Sequence, residues 1–301
     1  MTFAAPDFND AVLERLNGLS LTRSFTPQVD IDWNAATTDA EYEALYSSSS
    51  LLEGTGIDTA LDRSGRTRFV QYQQMNLMTF TGLLERHGIS ALAGLFDLES
   101  SDSFAEYLGH FIKEELYHAV MFTRAVQKIQ AVIPAGKPLP IRSLDQTLRW
   151  LFFCVQLIPS RKIRSNLVFT FFRFAEQVTI YVNQLVQSRI SRRDSLIRQV
   201  WAFHALEESR HLAFDDMMLK RHRIPWVLAW IPAALAAPCC LLLAFLVNVN
   251  EVWIAQEVGI PVHLWHLPGL VRRTKAPFKR RVFALLGNTI LRRETDPPEN
   301  E

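Results

Sequence analysis

The chain has 301 residues, of which 49% are hydrophobic and 21% charged, a balance that excludes an intrinsically disordered protein. Its net charge of only +1 argues against a general polyanion binder, so we expect no nucleic-acid partner. The opening sequence MTFAAPDFND lacks the basic and apolar regions of a secretory signal, and the three cysteines form no Cys-x-x-Cys motif. We therefore expect a reduced, cytoplasmic protein.

Helical periodicity begins after residue 60, and the sequence shows no convincing strand. The first 60 residues look irregular, with one short helix expected near residues 7–19. Capping residues, prolines and Gly88 then delimit a series of helices and one linker at 138–140. The predicted helices are 66–87, 103–133, 143–158, 160–190 and 192–221. These lengths predict an all-α bundle over residues 61–224.

Two of these helices carry the same figure, Glu-x-x-His, at Glu115–His118 and at Glu208–His211. Residues three apart share one face of a helix, so each Glu and its His point the same way. Their neighbours on those faces are apolar, and an ionised Glu there is costly unless something compensates its charge. The alternative is a pair of surface polar contacts on amphipathic helices, which leaves the apolar context unexplained.

Each figure is preceded by a helical glutamate about one helix upstream, Glu85 in one case and Glu176 in the other. Four carboxylates and two imidazoles would balance two divalent cations, and this ligand mixture suits iron or manganese. Glu176 is the only acid in its apolar stretch, whereas Glu85 could also be an exposed charge near a helix end. The spacing leaves room for the long crossover of a ferritin-like four-helix bundle.

Other acids lie beside the two figures. Glu114 and Glu207 have no His three residues on, so we interpret them as solvated or as helix–helix partners. Asp215 and Asp216 follow the second figure by one turn, where they could orient a ligand His or remain surface acids. An additional imidazole, His204, lies one turn before Glu208; it is either a further ligand or a buried His that donates to a backbone carbonyl.

The set Glu115-x2-His118, lone Glu176 and His204-x3-Glu208-x2-His211 resembles the p-aminobenzoate N-oxygenase family of diiron oxygenases, within the ferritin-like superfamily. In that family the extra His gives one iron a third imidazole. The resemblance covers roughly residues 60–225. It implies Glu115, His118, Glu176, His204, Glu208 and His211 as metal ligands. Glu85, which lies a few residues later than the family pattern places its first-helix glutamate, is the seventh expected ligand from the spacing alone.

The resemblance implies two bound Fe ions, with an Mn/Fe pair left open, and O2 as co-substrate. A ferredoxin or reductase would supply electrons, and oxygen would pass to an arylamine, towards a hydroxylamine or nitro product. Alternatives are a hydroxylase or desaturase of a lipophilic or carrier-bound substrate, an iron-handling ferritin-like protein, and a metal-free helical protein.

The substrate pocket is expected on the same helix faces as the ligands, lined by side chains that suit an apolar or aromatic guest. No unique anchor for a substrate carboxylate is evident, and Arg173 is one candidate. The predicted pocket residues are Met78, Thr81, Phe111, Phe172, Arg173, Thr179 and Ile180.

Residues 225–301 form the remaining segment. Residues 226–247 carry no formal charge and are long enough to span a bilayer, and a basic flank precedes them. They are expected to form either a hairpin of helices, broken at Pro232 and Pro238, that packs on the bundle or in a homodimer, or a membrane contact. A basic C-terminal helix is expected after it.

Overall fold

The computed structural model describes residues 10–94, 101–133, 141–221 and 230–277, with positions 280, 281 and 284. Every regular element in these residues is a helix, and none is a strand, which confirms the predicted all-α class.

Four long helices form the bundle, and they correspond to the four predicted from the sequence. The first two, α4 and α5, pack along each other, as do α7 and α8, and α5 also contacts α8. Their bounds are Arg63–Ala93 for α4, Asp102–Ala131 for α5, Arg161–Arg189 for α7 and Leu196–Arg221 for α8. The shorter α6, Ile141–Gln156, follows the crossover and packs on α4 and α7.

Helix α4 does not end near Gly88, as predicted, but continues through it to Ala93. A Cβ atom at Gly88 would lie 2.4 Å from the ring of Phe172, so this glycine permits close packing of α4 on α7. Its role is steric and it does not terminate the helix. As a result Glu85 lies inside a helix and is buried, which removes its interpretation as an exposed charge at a helix end.

Two of the expected helix starts differ from the structure. Ser101, two residues before the predicted cap, accepts the hydrogen bond from the Phe104 backbone at the start of α5. Ser160 caps α7 through the Ile163 backbone, as expected. Helix α8 begins at Leu196, a few residues after the predicted start.

The N-terminal segment is not irregular, as was expected, but mostly helical. It contains α1 (Asp10–Thr22), the single turn α2 (Pro27–Asp30) and α3 (Asp39–Ser49). Helix α1 agrees with the predicted short helix over residues 10–19 and continues to Thr22, and residues 7–9 of the prediction lie outside the described residues. It packs on α5, and α3 packs on α4. Sequence periodicity understated these helices because they are short and their stability comes from packing on the bundle.

The apolar C-terminal segment is one continuous helix, α9 (Trp230–Glu257), so the predicted hairpin is wrong. The described helix continues through both Pro232 and Pro238. None of the helices in the described ranges is long and apolar enough to cross a membrane. Residues 226–229 of the predicted segment lie outside the described residues.

Helix α9 packs on α4 and α7, and buried polar contacts fix it there. The Asn250 side chain donates to Asn76 at 2.8 Å, and the Gln73 amide donates to Glu251 at 3.2 Å. A short basic helix, α10 (Leu267–Arg273), follows; the chain beyond 284 lies outside the described residues. The C-terminal segment is therefore packed on the bundle.

Candidate metal centre

The four bundle helices bring all seven predicted ligands into the interior. Each of the seven residues has at most 5% of its surface exposed. Helix α4 contributes one of them, α5 two, α7 one and α8 three. The two Glu-x-x-His figures therefore face each other from α5 and α8, as their spacing predicts.

One group of ligand atoms gathers around His204. Its Nε2 lies 2.7 Å from Oε1 of Glu85 and 3.0 Å from Oε1 of Glu208. Nδ1 of His118 lies 3.5 Å from the same Glu208 oxygen and 3.9 Å from Glu85. One ligand atom from each of the four residues lies within 4.8 Å of the others, a spacing that a single metal ion can bridge. We name Glu85, His118, His204 and Glu208 the histidine-rich half.

A second group gathers around His211. Its Nδ1 lies 3.0 Å from Oε1 of Glu115 and 3.7 Å from Oε1 of Glu208. These three residues again offer ligand atoms within 4.8 Å of one another. Glu208 belongs to both groups and thus lies between them. A carboxylate shared by two metal positions is the arrangement that dinuclear sites in helical bundles require.

Glu176 lies beside the second group, next to Asp215. None of the four carboxylate oxygens of these two buried acids receives a hydrogen bond from a donor in the described part of the chain. Burial, and then the neighbouring Asp215, raise the pKa of Glu176 well above its ordinary value. Such a pair requires a shared proton or an added cation. We name Glu115, Glu176, His211 and the shared Glu208, with Asp215 behind them, the carboxylate-rich half.

The outer nitrogens of two histidines are held crosswise by the acids that precede the two figures. Nε2 of His211, on α8, bonds Oε2 of Glu114, on α5, at 2.9 Å. Nε2 of His118, on α5, lies 3.0 Å from Oε2 of Glu207, on α8. Each carboxylate thus favours an Nε2–H tautomer, which leaves the Nδ1 lone pair facing the cluster.

Arg210 joins the two outer acids. Its guanidinium donates to Glu114 at 2.8 Å and lies 3.2 Å from Glu207, and all three side chains are buried. Glu114 and Glu207 are therefore helix–helix partners and not solvated, which resolves the two interpretations left open above. The sequence held a signal for them, because both figures read Glu-Glu-x-x-His.

The electrostatics of the cluster favour an added positive charge. Burial raises the pKa of Glu85 and Glu208, and neighbouring carboxylates, Glu115 foremost, raise it further. Burial, followed by the charges of His118 and His211, lowers the pKa of His204 well below its usual range. Two divalent cations would neutralise four carboxylates and accept the neutral imidazoles. The donor set thus fits a pair of iron or manganese ions.

Comparison with known proteins identifies the family of the chain. The family model described as p-aminobenzoate N-oxygenase AurF matches residues 7–261 of this chain. The chain belongs to the p-aminobenzoate N-oxygenase family. The matched range includes the N-terminal helices and all of α9, as well as the bundle that carries the candidate ligands.

Curated relatives of this N-oxygenase family member come from mycobacteria. The uncharacterized proteins MT0908 of Mycobacterium tuberculosis (strain CDC 1551 / Oshkosh) and Mb0909 of Mycobacterium bovis (strain ATCC BAA-935 / AF2122/97) are each 23% identical to it over 268 residues. Each alignment covers 83% of this chain and 72% of the relative. These names give no activity, so the chemistry must be inferred from the site.

Aromatic rings pack against the three histidines of the candidate metal centre. The ring of Phe111 stacks on His211 with centroids 3.8 Å apart, and Phe122 lies 4.9 Å from His204. Phe25, from the N-terminal segment, stacks on Phe203 at 5.1 Å and lies 6.0 Å from His118. These apolar walls exclude water and raise the cost of leaving the acids unpaired.

Most of the predicted pocket residues lie in the interior, and two of them are hydrogen-bonded within their own helices. Met78, Phe111 and Phe172 are buried and apolar, and Ile180 is half-buried. The hydroxyls of Thr81 and Thr179 donate to carbonyls of their own helices, those of Leu77 and Glu176.

Arg173 is half-exposed and lies 2.5 Å from Asp216 in an ion pair. That pair accounts for both charges at the surface, so the structure gives no support to Arg173 as a substrate anchor. Asp216 is accordingly a surface acid. Asp215 differs from it, because it lies against Glu176 in the interior.

Proposed function

We propose that this protein is a non-haem diiron oxygenase that uses O2 to insert oxygen into an N–H bond of an arylamine. The reaction takes up the amine, O2, two electrons and two protons, and gives the hydroxylamine and water. A ferredoxin or reductase would supply the electrons. Repetition of the step would carry the nitrogen towards a nitro group.

A single observation carries the proposal: six buried acids and imidazoles converge in two groups that share Glu208, and the buried Glu176 lies beside the second group. One iron would be held by Glu85, His118 and His204, and the other by Glu115, Glu176 and His211, with Glu208 between them. When bound, the metal pair supplies the redox chemistry with O2. Family membership supports this choice over a storage protein or a metal-free bundle.

The chain's own residues perform three tasks in this proposal. Glu114 and Glu207 hold the protons on the outer nitrogens of the ligand histidines, so that the inner nitrogens stay available. Arg210 fixes both acids. The aromatic rings around His118, His204 and His211 exclude water, which would otherwise compete for the metal positions and for reactive oxygen.

The test is a turnover assay with labelled oxygen. The purified protein is loaded anaerobically with ferrous iron, given p-aminobenzoate and a chemical or ferredoxin reductant, and exposed to ¹⁸O2. We expect a hydroxylamine or nitro product that carries ¹⁸O, detected by mass spectrometry. A panel of arylamines with and without a carboxylate tests the choice of substrate.

The matched control is the Glu208→Ala protein, carried through the same loading and assay. A wild-type protein that binds two irons and consumes O2 but labels no arylamine would contradict the N-oxygenation and favour the hydroxylase alternative. A protein that binds no iron would contradict the oxygenase proposal as a whole.

A further inference from the structure

Helix α6 presents an unusual surface. Its Leu144, Leu148 and Phe152 share one face, where they are buried against α4 and α7. The opposite face carries Trp150 and Phe153, which are 70% and 55% exposed, and Leu157 just beyond the helix end, 64% exposed. Spacings of three and four residues align these large apolar side chains in one stripe. Apolar residues of this size are scattered on ordinary surfaces, whereas here three lie together.

The surroundings of this stripe are basic. Residues 141–175 contain six arginines and lysines but a single acid, Asp145, although the whole chain carries a net charge of only +1. Asp145 is already engaged by Arg86 at 3.2 Å and by His87 at 2.8 Å. Arg149 shares the same Asp145 at 3.7 Å, and Arg173 is paired with Asp216. Cations therefore outnumber acids along this stretch, and Arg161 and Lys162 at its end add to the excess.

Three of these cations lie where helix energetics disfavour them. Arg161, Lys162 and Arg164 occupy the first turn of α7, which contains no acid. The positive end of the helix dipole repels cations at this position, by roughly 0.3–1 kcal/mol each in typical helices. Arg164 donates a hydrogen bond to the Gln156 carbonyl at 3.3 Å. For Arg161 and Lys162, the stability of α7 gives no reason for a cation, whereas attraction to a negatively charged partner does.

We propose that the α6 stripe, Trp150, Phe153 and Leu157 with Arg149, Arg161 and Lys162 around it, docks the protein on the surface of an anionic phospholipid bilayer. Exposed aromatic and aliphatic side chains on an amphipathic helix, bordered by Lys and Arg, are the features that insert into the headgroup boundary. Helix α9 packs across the same two helices as α6 and exposes Leu241, Leu242 and Phe245. It adds apolar surface without added charge.

A second copy of the chain fits this surface less well. A twofold interface would bring the same patch against itself, so the basic residues would face one another. The proposal does not depend on the metal chemistry.

Co-sedimentation of the full chain with vesicles tests the proposal. One set of vesicles is pure phosphatidylcholine and the other is mixed with phosphatidylglycerol. We expect the wild type to pellet with the mixed vesicles and to remain soluble with pure phosphatidylcholine. Added salt should weaken the binding, because it screens the attraction.

Two variant pairs separate the two parts of the surface. Arg161→Gln with Lys162→Gln should weaken binding about 30-fold, at roughly 1 kcal/mol per lost charge near an anionic surface. This pair should not harm folding, because it removes cations from a helix N-terminus. Trp150→Ser with Phe153→Ser should weaken binding at least about tenfold, through lost apolar insertion.

The matched control is Leu21→Ser with Val29→Ser, which removes two equally exposed apolar side chains from the N-terminal segment and should leave binding unchanged. Circular dichroism checks that each variant is folded. A wild type that stays in solution with both vesicle types would overturn the proposal and favour an acidic protein partner. Equal binding to both vesicle types, or full binding by either α6–α7 variant pair, would overturn it as well.

Discussion

The two halves of the metal centre are built from two copies of the same figure, Glu-Glu-x-x-His, and each half takes residues from both copies. The two copies differ in the residues that lie one helical turn away. Four residues before Glu208 lies His204, whereas four residues before Glu115 lies Phe111. The histidine adds a ligand atom to one half, and the phenylalanine stacks on His211 and closes the other.

The same asymmetry appears on the far side of each figure. Four residues after His211 lies the buried Asp215, and four residues after His118 lies Phe122. One half therefore has two imidazoles and little spare charge, and the other has one imidazole and an excess of carboxylate. The comparison teaches that a repeated motif fixes where the candidate ligands lie, while the residues one turn away decide how many imidazoles and carboxylates each half offers to a metal ion.

The largest effect is expected where the two halves join. Glu208→Ala removes the carboxylate that both groups share, so we expect iron content to fall from about two per chain to about none. Mass spectrometry of metals in the desalted protein measures this. Glu14→Gln, at an exposed position, serves as the control. Retention of both irons by the Glu208 variant would show that the halves are independent.

The next effect separates the halves. His204→Ala removes a ligand from the histidine-rich half alone, so we expect about one iron per chain to remain. Phe111→Leu, at the corresponding position of the other half, should keep about two. Iron analysis with Mössbauer spectra of the two proteins distinguishes the sites. Wild-type iron content and spectra in the His204 variant would remove it from the ligand set.

The crosswise acids should act on opposite halves. Glu207→Gln loosens His118, and Glu114→Gln loosens His211, and each should weaken iron binding at its own half by about 10–100-fold. Competition with a chromogenic chelator gives the two affinities. Glu106→Gln, at an exposed position on α5, provides a reference. If both outer variants weakened the same half, the crosswise assignment would be wrong.

The metal-free protein should lose stability as pH rises. Burial raises the pKa of Glu85, Glu176, Glu208 and Asp215, so the folded state binds more protons than the unfolded state above the ordinary carboxyl range. The free energy of unfolding should then fall by on the order of 1 kcal/mol per pH unit above about pH 5. Urea titrations at several pH values measure it. Iron-loaded protein should show a weaker slope, and equal slopes would contradict the role of the cations.

The smallest effect concerns one acid of the carboxylate-rich half. Asp215→Asn removes a buried charge next to Glu176, so it should stabilise the metal-free protein by about 1 kcal/mol. Asp216→Asn, its neighbour at the surface, only breaks the ion pair with Arg173 and should change stability by about 0–1 kcal/mol in the other direction. Urea denaturation compares the two. A destabilised Asp215 variant would show that this carboxylate is needed for the fold.

Much of this arrangement could be predicted from the sequence, because helix geometry turns spacing into position. Glu115 with His118, and Glu208 with His211, share helix faces, and the structure places both figures in the interior. The burial of Glu85 could not be predicted in this way, because Gly88 reads as a helix end in the sequence. In the structure this glycine makes room for the ring of Phe172, and α4 continues past it.

Other features depend on contacts that sequence spacing does not encode. The repeated Glu-Glu-x-x-His marks Glu114, but it does not reveal that this acid meets His211, which lies 97 positions away on another helix. Arg173 looked like a substrate anchor because its partner, Asp216, lies on a different helix. Pro232 and Pro238 predict a broken helix, whereas α9 is continuous from Trp230 to Glu257.

The most direct test of the central claim is anomalous diffraction at the iron edge from crystals of the iron-loaded protein. We predict two peaks about 3.5–4 Å apart, one bounded by Glu85, His118 and His204 and the other by Glu115, Glu176 and His211, with Glu208 between them. A single peak, or peaks confined to the protein surface, would contradict the account.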